Sequence, residues 1–186
     1  MILSRISIAK LLSIHNVLDE RSQAAVLALQ KPCEVYGKPT PDDLNGISLG
    51  QLFALNAAVE SESIAHIVTE CARVLLDIPA HKVLRYRADR AMGFTLWVMN
   101  ELMRIGKMWK AISPTPSAAA VQAGIGDLKF GDFGIADWYA RRMGYRDHDD
   151  VLRLGWVRVW QCMKNDNEEA AFRERMQAVV AKQSKK

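Results

Sequence analysis

The chain has 186 residues, of which 49% are hydrophobic and 25% are charged, and its formal net charge is +4. These proportions are those of an ordinary folded protein, and they exclude a disordered or collagen-like chain. The length fits one domain or two small ones.

Cysteine usage and hydropathy indicate the compartment. The three cysteines, Cys33, Cys71 and Cys162, are an odd number without a close pair, which argues against a disulfide scaffold and for a reducing environment. No apolar run approaches the roughly 20 residues that a membrane span needs. The N-terminal apolar residues are interrupted by Arg5 and Lys10 and predict an amphipathic helix, not a signal peptide. We therefore expect a cytoplasmic protein without a membrane partner.

The N-terminal half predicts helices separated by one long turn-rich connector. Residues 4–30 have apolar residues near helical spacing and predict one helix, or two joined around residues 15–19. Lys31-Pro32 ends this segment, because proline has no amide donor. Residues 33–46 are rich in Gly, Pro, Asp and Asn and predict a connector, with a short extended piece at Val35-Tyr36. Ser48 and Gln51 then form a capping-box pattern before a helix that reaches about Glu60.

Three further helices are predicted before residue 113. Ser61 or Ser63 caps a strongly periodic apolar helix over residues 64–78, and Pro79 suits the first turn of the next one. Residues 88–112 carry the broadest apolar face of the chain. Gly93 and Gly106 weaken that helix locally or allow another backbone to approach it.

The last third begins with a change in composition. Residues 113–134 combine SPTPSAAA with four glycines, and we interpret them as a connector with a short helix over residues 118–123. Helices follow over residues 135–143 and 148–154, the second capped by Asp147. Residues 156–164 predict a continuing helix, although Val157, Val159 and Trp160 would also suit a strand. Asp166 or Asn167 is predicted to cap a final helix over 168–182. The predicted fold class is all-α, with about seven to nine helices in two lobes, residues 1–112 and 135–186, joined by residues 113–134.

No catalytic or metal-binding signature emerges, so we expect a protein that is not an enzyme and carries no cofactor or metal. His66 has a glutamate four residues away on each side, and His148 lies in an acidic cluster, but an ion-pair stripe and a helix cap explain them more simply. The stretch GIGDLKFGDFG lacks the GxxxxGK[ST] pattern of a phosphate loop.

Charge and aromatic residues leave nucleic-acid binding open as an alternative. Residues 1–78 carry a net charge of −3 and residues 79–186 one of +7. Two basic clusters lie beside aromatic residues, an arrangement that suits backbone contact and base stacking. Their arginines are Arg85, Arg87, Arg90, Arg141, Arg142 and Arg146.

Two stretches resemble one known family. The first is CARVLLDIPAHKVLRYRADRAMGFTLWVMNELMRI, residues 71–105, and the second is FGIADWYARRMGYRDHDDVLRLGWVRVWQCMKNDNEEAAFRERM, residues 133–176. Their order of apolar helices, turns and acidic caps resembles the tail assembly chaperones of long-tailed bacteriophages. The resemblance covers 79 residues and implies a small helical cytoplasmic protein that binds the phage tape measure protein and recruits tail-tube subunits. It transfers no individual functional residue.

A chaperone of this kind needs exposed apolar surface on one lobe. We expect a hydrophobic groove for an extended or helical partner segment, with homo-oligomerisation as a further option. The candidate partner-binding residues are Leu52, Phe53, Trp156 and Trp160. The more ordinary interpretation is that all four are core residues, and the sequence alone does not show whether they are exposed.

Overall fold

The computed structural model describes residues 5–14 and 20–183, apart from the side chain of Arg21. The structure is 72% helical, which confirms the all-α prediction. The described residues contain ten α-helices and one two-stranded hairpin, so the helix count is slightly above the predicted seven to nine. The helices are α1 Ile8–Ile14, α2 Glu20–Leu27, α3 Leu49–Val59, α4 Ile64–Leu76, α5 Ala80–Arg85, α6 Ala88–Ile112, α7 Ala118–Gln122, α8 Gly131–Met143, α9 His148–Leu152 and α10 Trp156–Gln183.

The chain forms two compact units, Met1–Ile105 and Gly106–Lys186, called unit 1 and unit 2 below. The division lies inside α6, whereas the predicted N-terminal lobe extends to Ile112. The proline-rich stretch after Ile112 marks the end of the helix and not the border of the compact unit. Residues 113–134, predicted as a connector, belong to unit 2 and contain α7 and a short 3-10 helix, Ile125–Asp127.

Unit 1 contains a tight hairpin and a packed set of helices. Strands β1, Glu34–Val35, and β2, Lys38–Pro39, pair antiparallel across a two-residue turn. Both turn residues, Tyr36 and Gly37, have positive φ, as the twist of a two-residue hairpin requires. Of the predicted extended piece Val35-Tyr36, Val35 therefore lies in a strand and Tyr36 lies in the turn.

Helices α3 and α4 form the centre of unit 1, and α5 packs on α4. The predicted capping box of α3 is confirmed: the Ser48 side chain accepts from Gln51 N–H, and the Gln51 side chain accepts from Ser48 N–H. Of the two predicted caps of α4, Ser63 is the one that the structure uses. Their inward faces supply much of the core, including Leu49, Leu55, Val68 and Cys71.

Helix α6 contains two glycines, and they differ in the space around them. Gly93 has no room for a side chain, whereas Gly106 does. A Cβ atom at Gly93 would lie 2.5 Å from the carbonyl oxygen of Gln30, so another backbone does approach the helix there. A Cβ atom at Gly106 would meet nothing within 4 Å. The predicted approach of another backbone is therefore confirmed at Gly93 and not at Gly106.

Unit 2 confirms the predicted Asp147 cap and contradicts the caps predicted at Asp166 or Asn167, which lie inside α10. Asp147 accepts from Asp149 N–H at the start of α9, and Gly144 ends α8 in the left-handed conformation. The prediction of separate helices divided at Asp166 or Asn167 is wrong, because α10 continues through both residues. Asp166 pairs with Arg142, and the Asn167 amide donates to the Ile112 carbonyl, so neither side chain caps a helix.

Unit 2 has a small core and a large exposed apolar surface. Its buried apolar side chains come from α8, α9 and the first turn of α10: Ala136, Tyr139, Ala140, Val151, Trp156 and Val159. Among the described residues, twelve large apolar side chains are exposed, and ten of them belong to unit 2. This asymmetry directs the search for a functional surface to unit 2.

Candidate protein-binding surface

An aromatic groove lies between the first turns of α8 and the middle of α10. We define the aromatic groove by Phe130, Phe133, Trp138 and Met163, with Arg141 at its rim. Its volume is about 530 Å³. Phe130 and Phe133 are 68% and 64% exposed, although both are large apolar side chains. Exposed aromatic residues beside a cavity are the usual anchors of protein interfaces.

Glycines at the start of α8 place the two phenylalanines. Gly131 has a φ of +54°, a left-handed conformation that most residues avoid. A Cβ atom at Gly134 would lie 2.4 Å from the Cβ atom of Phe130, so only glycine lets Phe130 fold back on this turn. The sequence FGDFG therefore sets the backbone that presents Phe130 and Phe133 on one side of the helix start.

A polar network borders the groove. Asp137 accepts from Arg141 and lies 3.3 Å from the His148 Nε2 atom, measured to its Oδ1. Burial disfavours the ionised Asp137 carboxyl, but the hydrogen bonds with His148 and Arg141 outweigh this and hold its pKa below the usual range. The His148 ring also contacts Phe133, with 5.0 Å between the ring centroids. The network therefore fixes one wall of the groove through ring contact and charge.

The residues before α8 carry further exposed apolar side chains. Val121, Ile125 and Leu128 are all exposed and follow one another at spacings of four and three residues. They lie on α7, on the 3-10 helix and directly after it. Together with the aromatic groove they place five exposed large apolar side chains within residues 121–133.

Two of the four predicted partner-binding residues are core residues. Leu52 is 2% exposed in α3, and Trp156 is fully buried at the start of α10. A side chain without accessible surface cannot anchor a partner in the folded protein, so Leu52 and Trp156 are corrected from surface to core. Both have large apolar side chains, and this property marks core and interface positions alike.

The other two, Phe53 and Trp160, are half-buried and lie in different units. The Trp160 indole N–H donates to the Met108 carbonyl at 3.2 Å, and Lys164 lies over the indole ring. Trp160 therefore holds the C-terminal end of α6. The structure does not bring Phe53 and Trp160 into the aromatic groove.

Most arginines of the predicted basic clusters have partners within the chain. Arg87 pairs with Asp89, Arg141 with Asp137 and Arg142 with Asp166. Arg90 donates to the Glu34 carbonyl. The remaining two, Arg85 and Arg146, are exposed. Ion pairing reduces the net positive field that attracts a phosphate backbone.

At both histidine clusters a carboxylate has a partner within the chain. Glu70, near His66 on α4, pairs with Arg73, and His148 pairs with Asp137. Within residues 5–14 and 20–183, no group of three His, Cys, Asp or Glu side chains is placed to hold a metal ion. Over the same residues, no helix combines the length and apolar character of a membrane span.

Comparisons with protein-family models, curated proteins and solved structures found no match to this chain. Sequence reasoning missed Phe130 and Phe133, although one signal for them was present. Both phenylalanines occur among glycines and charged residues, outside any helical apolar periodicity, in a stretch too polar to bury them.

Proposed function

We propose that this protein is a non-enzymatic binding protein of the tail assembly chaperone type, which holds an apolar segment of a tape measure protein in the aromatic groove. The observation that carries the proposal is the exposure of Phe130 and Phe133 beside a groove of about 530 Å³. Water-exposed aromatic surface of this kind is costly for a free protein, and a partner segment would cover it.

The groove suits a helical or extended segment with one row of apolar side chains. Phe130, Phe133 and Trp138 offer ring faces, and the flexible Met163 thioether adapts to differently shaped side chains. The Asp137–Arg141 pair at the rim offers an acceptor and a donor to the polar side of the segment. A surface of this composition favours apolar sequences without reading one sequence, which is the property that a chaperone needs.

The partner class comes from the resemblance of residues 71–105 and 133–176 to the tail assembly chaperones. Residues 133–176 include Phe133, Trp138 and Met163, three of the four side chains that define the aromatic groove. Recruitment of tail-tube subunits and a cytoplasmic location belong to the same proposal.

The test is a salt-resistant pull-down. The tagged chain is expressed together with the genes that flank its own gene, captured, and washed at low and high salt. Bound proteins are identified by mass spectrometry, and bound nucleic acid is measured by absorbance. We expect one long, helix-rich protein from a neighbouring gene, retained at high salt. The Phe130→Ser/Phe133→Ser variant should lower its recovery at least about tenfold, because each central aromatic anchor contributes more than about 1 kcal/mol.

The matched control is Leu27→Ser/Met103→Ser, which removes two equally exposed apolar side chains from unit 1. Its recovery should equal that of the wild type. Equal recovery from the groove variant would refute the aromatic groove as the binding site. Nucleic acid released by salt, without a protein partner, would replace the proposal with the alternative based on the arginine clusters.

A further inference from the structure

Helix α6 passes from one compact unit into the other at a glycine. Unit 1 ends at Ile105 and unit 2 begins at Gly106, while the helix continues through both residues. Ile105 is 2% exposed and is the last buried residue of α6, whereas Gly106 and Lys107 after it are both exposed. The buried part of the helix therefore ends at the border between the units.

Each unit holds its own part of α6 through side-chain hydrogen bonds. Within unit 1, the Arg104 guanidinium donates to the Asn45 side chain at 2.9 Å. Within unit 2, the Trp160 indole N–H donates to the Met108 carbonyl at 3.2 Å. Arg104 and Met108 are four residues apart, which is about one turn of an α-helix. The border between the units therefore lies in the single helical turn between these two contacts.

Gly106 weakens this turn without any gain in packing. Among the described residues, no atom lies within 4 Å of the position that a Cβ atom at Gly106 would take, so a larger residue would fit there. At Gly93, in contrast, the Gln30 carbonyl oxygen leaves no room for a side chain. A glycine inside a helix makes local opening of the backbone hydrogen bonds about fivefold more frequent than an alanine does. A weakened turn thus coincides with the border between the two units.

We propose that α6 has a hinge at Gly106 and Lys107, where its backbone hydrogen bonds open and let unit 2 turn relative to unit 1. Hinges are short segments that absorb changes in φ and ψ while the bodies on either side stay folded. Exposure of both residues lets water satisfy the backbone groups that the opening frees. The aromatic groove lies within unit 2 and moves with it. The hinge does not depend on a partner for that groove, so either proposal stands if the other fails.

Amide hydrogen exchange of the full-length protein measures the opening of the hinge. The amides of residues 107–110 donate to the carbonyls of residues 103–106, across the hinge. Their protection should be at least about tenfold lower than that of the amides of residues 98–102. The hinge variant Gly106→Ala should raise the protection of residues 107–110 about fivefold. The control variant Asn100→Ala changes another exposed residue of α6, six positions earlier, and should leave that protection unchanged.

A pair of spin labels measures the turning of the units. The accessible thiols are first removed by Cys33→Ser and Cys162→Ser, and Cys71 is buried and stays unlabelled. Labels are then attached at Ala57→Cys on α3 and Gln161→Cys on α10, two exposed helical positions. Double electron–electron resonance should give a broad distribution of the distance between the labels. The hinge variant should narrow this distribution, and the control variant should not. Circular dichroism confirms that each labelled chain folds.

Three results would overturn the hinge. The first is equal protection on the two sides of Gly106, and the second is protection of residues 107–110 that Gly106→Ala does not change. The third is a narrow distance distribution in the chain that keeps Gly106, because it would show that the helix opens locally without any turning of the units.

Discussion

Gly93 and Gly106 lie in the same helix, and replacing each by alanine should change the stability of the protein in opposite directions. Alanine is favoured over glycine by about 1 kcal/mol at an interior helix position, and both variants gain this amount. At Gly106 nothing lies within 4 Å of the added methyl group, so Gly106→Ala should stabilise the protein by about 1 kcal/mol.

At Gly93 the new methyl group would lie 2.5 Å from the Gln30 carbonyl oxygen and 3.6 Å from the Pro32 ring. A carbon and an oxygen atom in contact are separated by about 3.3 Å, so the Gln30 backbone must move by about 0.8 Å. Overpacking of this kind costs about 1–3 kcal/mol. We therefore expect Gly93→Ala to be less stable than Gly106→Ala by that amount.

Urea unfolding followed by circular dichroism at 222 nm measures both variants, with the wild type as the common reference. Because both variants share the gain in helix propensity, the difference between them isolates the contact with Gln30. If Gly93→Ala proves as stable as Gly106→Ala, the close approach of the Gln30 backbone to α6 is refuted.

Two further predictions concern helix ends and acid stability. Asp77 ends α4 with a φ of +53°, so Asp77→Gly should stabilise the protein by about 0.5–1 kcal/mol, whereas Asp77→Ala should give no gain in melting temperature. The Glu101 pKa lies below its ordinary value of 4.5, chiefly because Arg104 donates to the carboxylate, with partial burial opposing this and Leu44 N–H adding to it. A lowered pKa stabilises the folded state above pH 4.5 and loses that effect as the pH falls through the folded-state pKa. The melting temperature of Glu101→Gln should therefore fall less steeply than that of the wild type below about pH 5, and equal slopes would contradict this.

Local signals predicted the helices well because the interactions that start and end them are local. The capping box at Ser48 and Gln51 and the Asp147 cap each join residues two or three positions apart. The apolar periodicity over residues 88–112 predicted α6 with its observed bounds. These features depend on neighbours in the sequence, and the sequence therefore contains what is needed to find them.

Roles that depend on distant partners were not predictable in the same way. Asp166 is a residue type that often caps helices. Here Arg142, 24 residues away, donates a hydrogen bond to its carboxylate, and α10 continues through Asp166. Trp156 and Phe130 are both large aromatic residues, yet one is buried and the other is 68% exposed. Periodicity describes which residues share a face of a helix, and only packing decides whether that face meets a core or water.

The support that α10 gives to the end of α6 has a consequence for the order in which the nascent chain folds. The Met108 and Ile112 carbonyls accept from Trp160 and Asn167, which follow them by 52 and 55 residues. At 5–20 residues per second, the ribosome adds residues 106–167 in about 3–12 seconds after unit 1 is complete. Phe130 and Phe133 emerge during that interval, before Met163 supplies the opposite wall of the aromatic groove. Newly made chains thus pass through a stage in which the two phenylalanines are present and the wall of the aromatic groove that Met163 supplies is not.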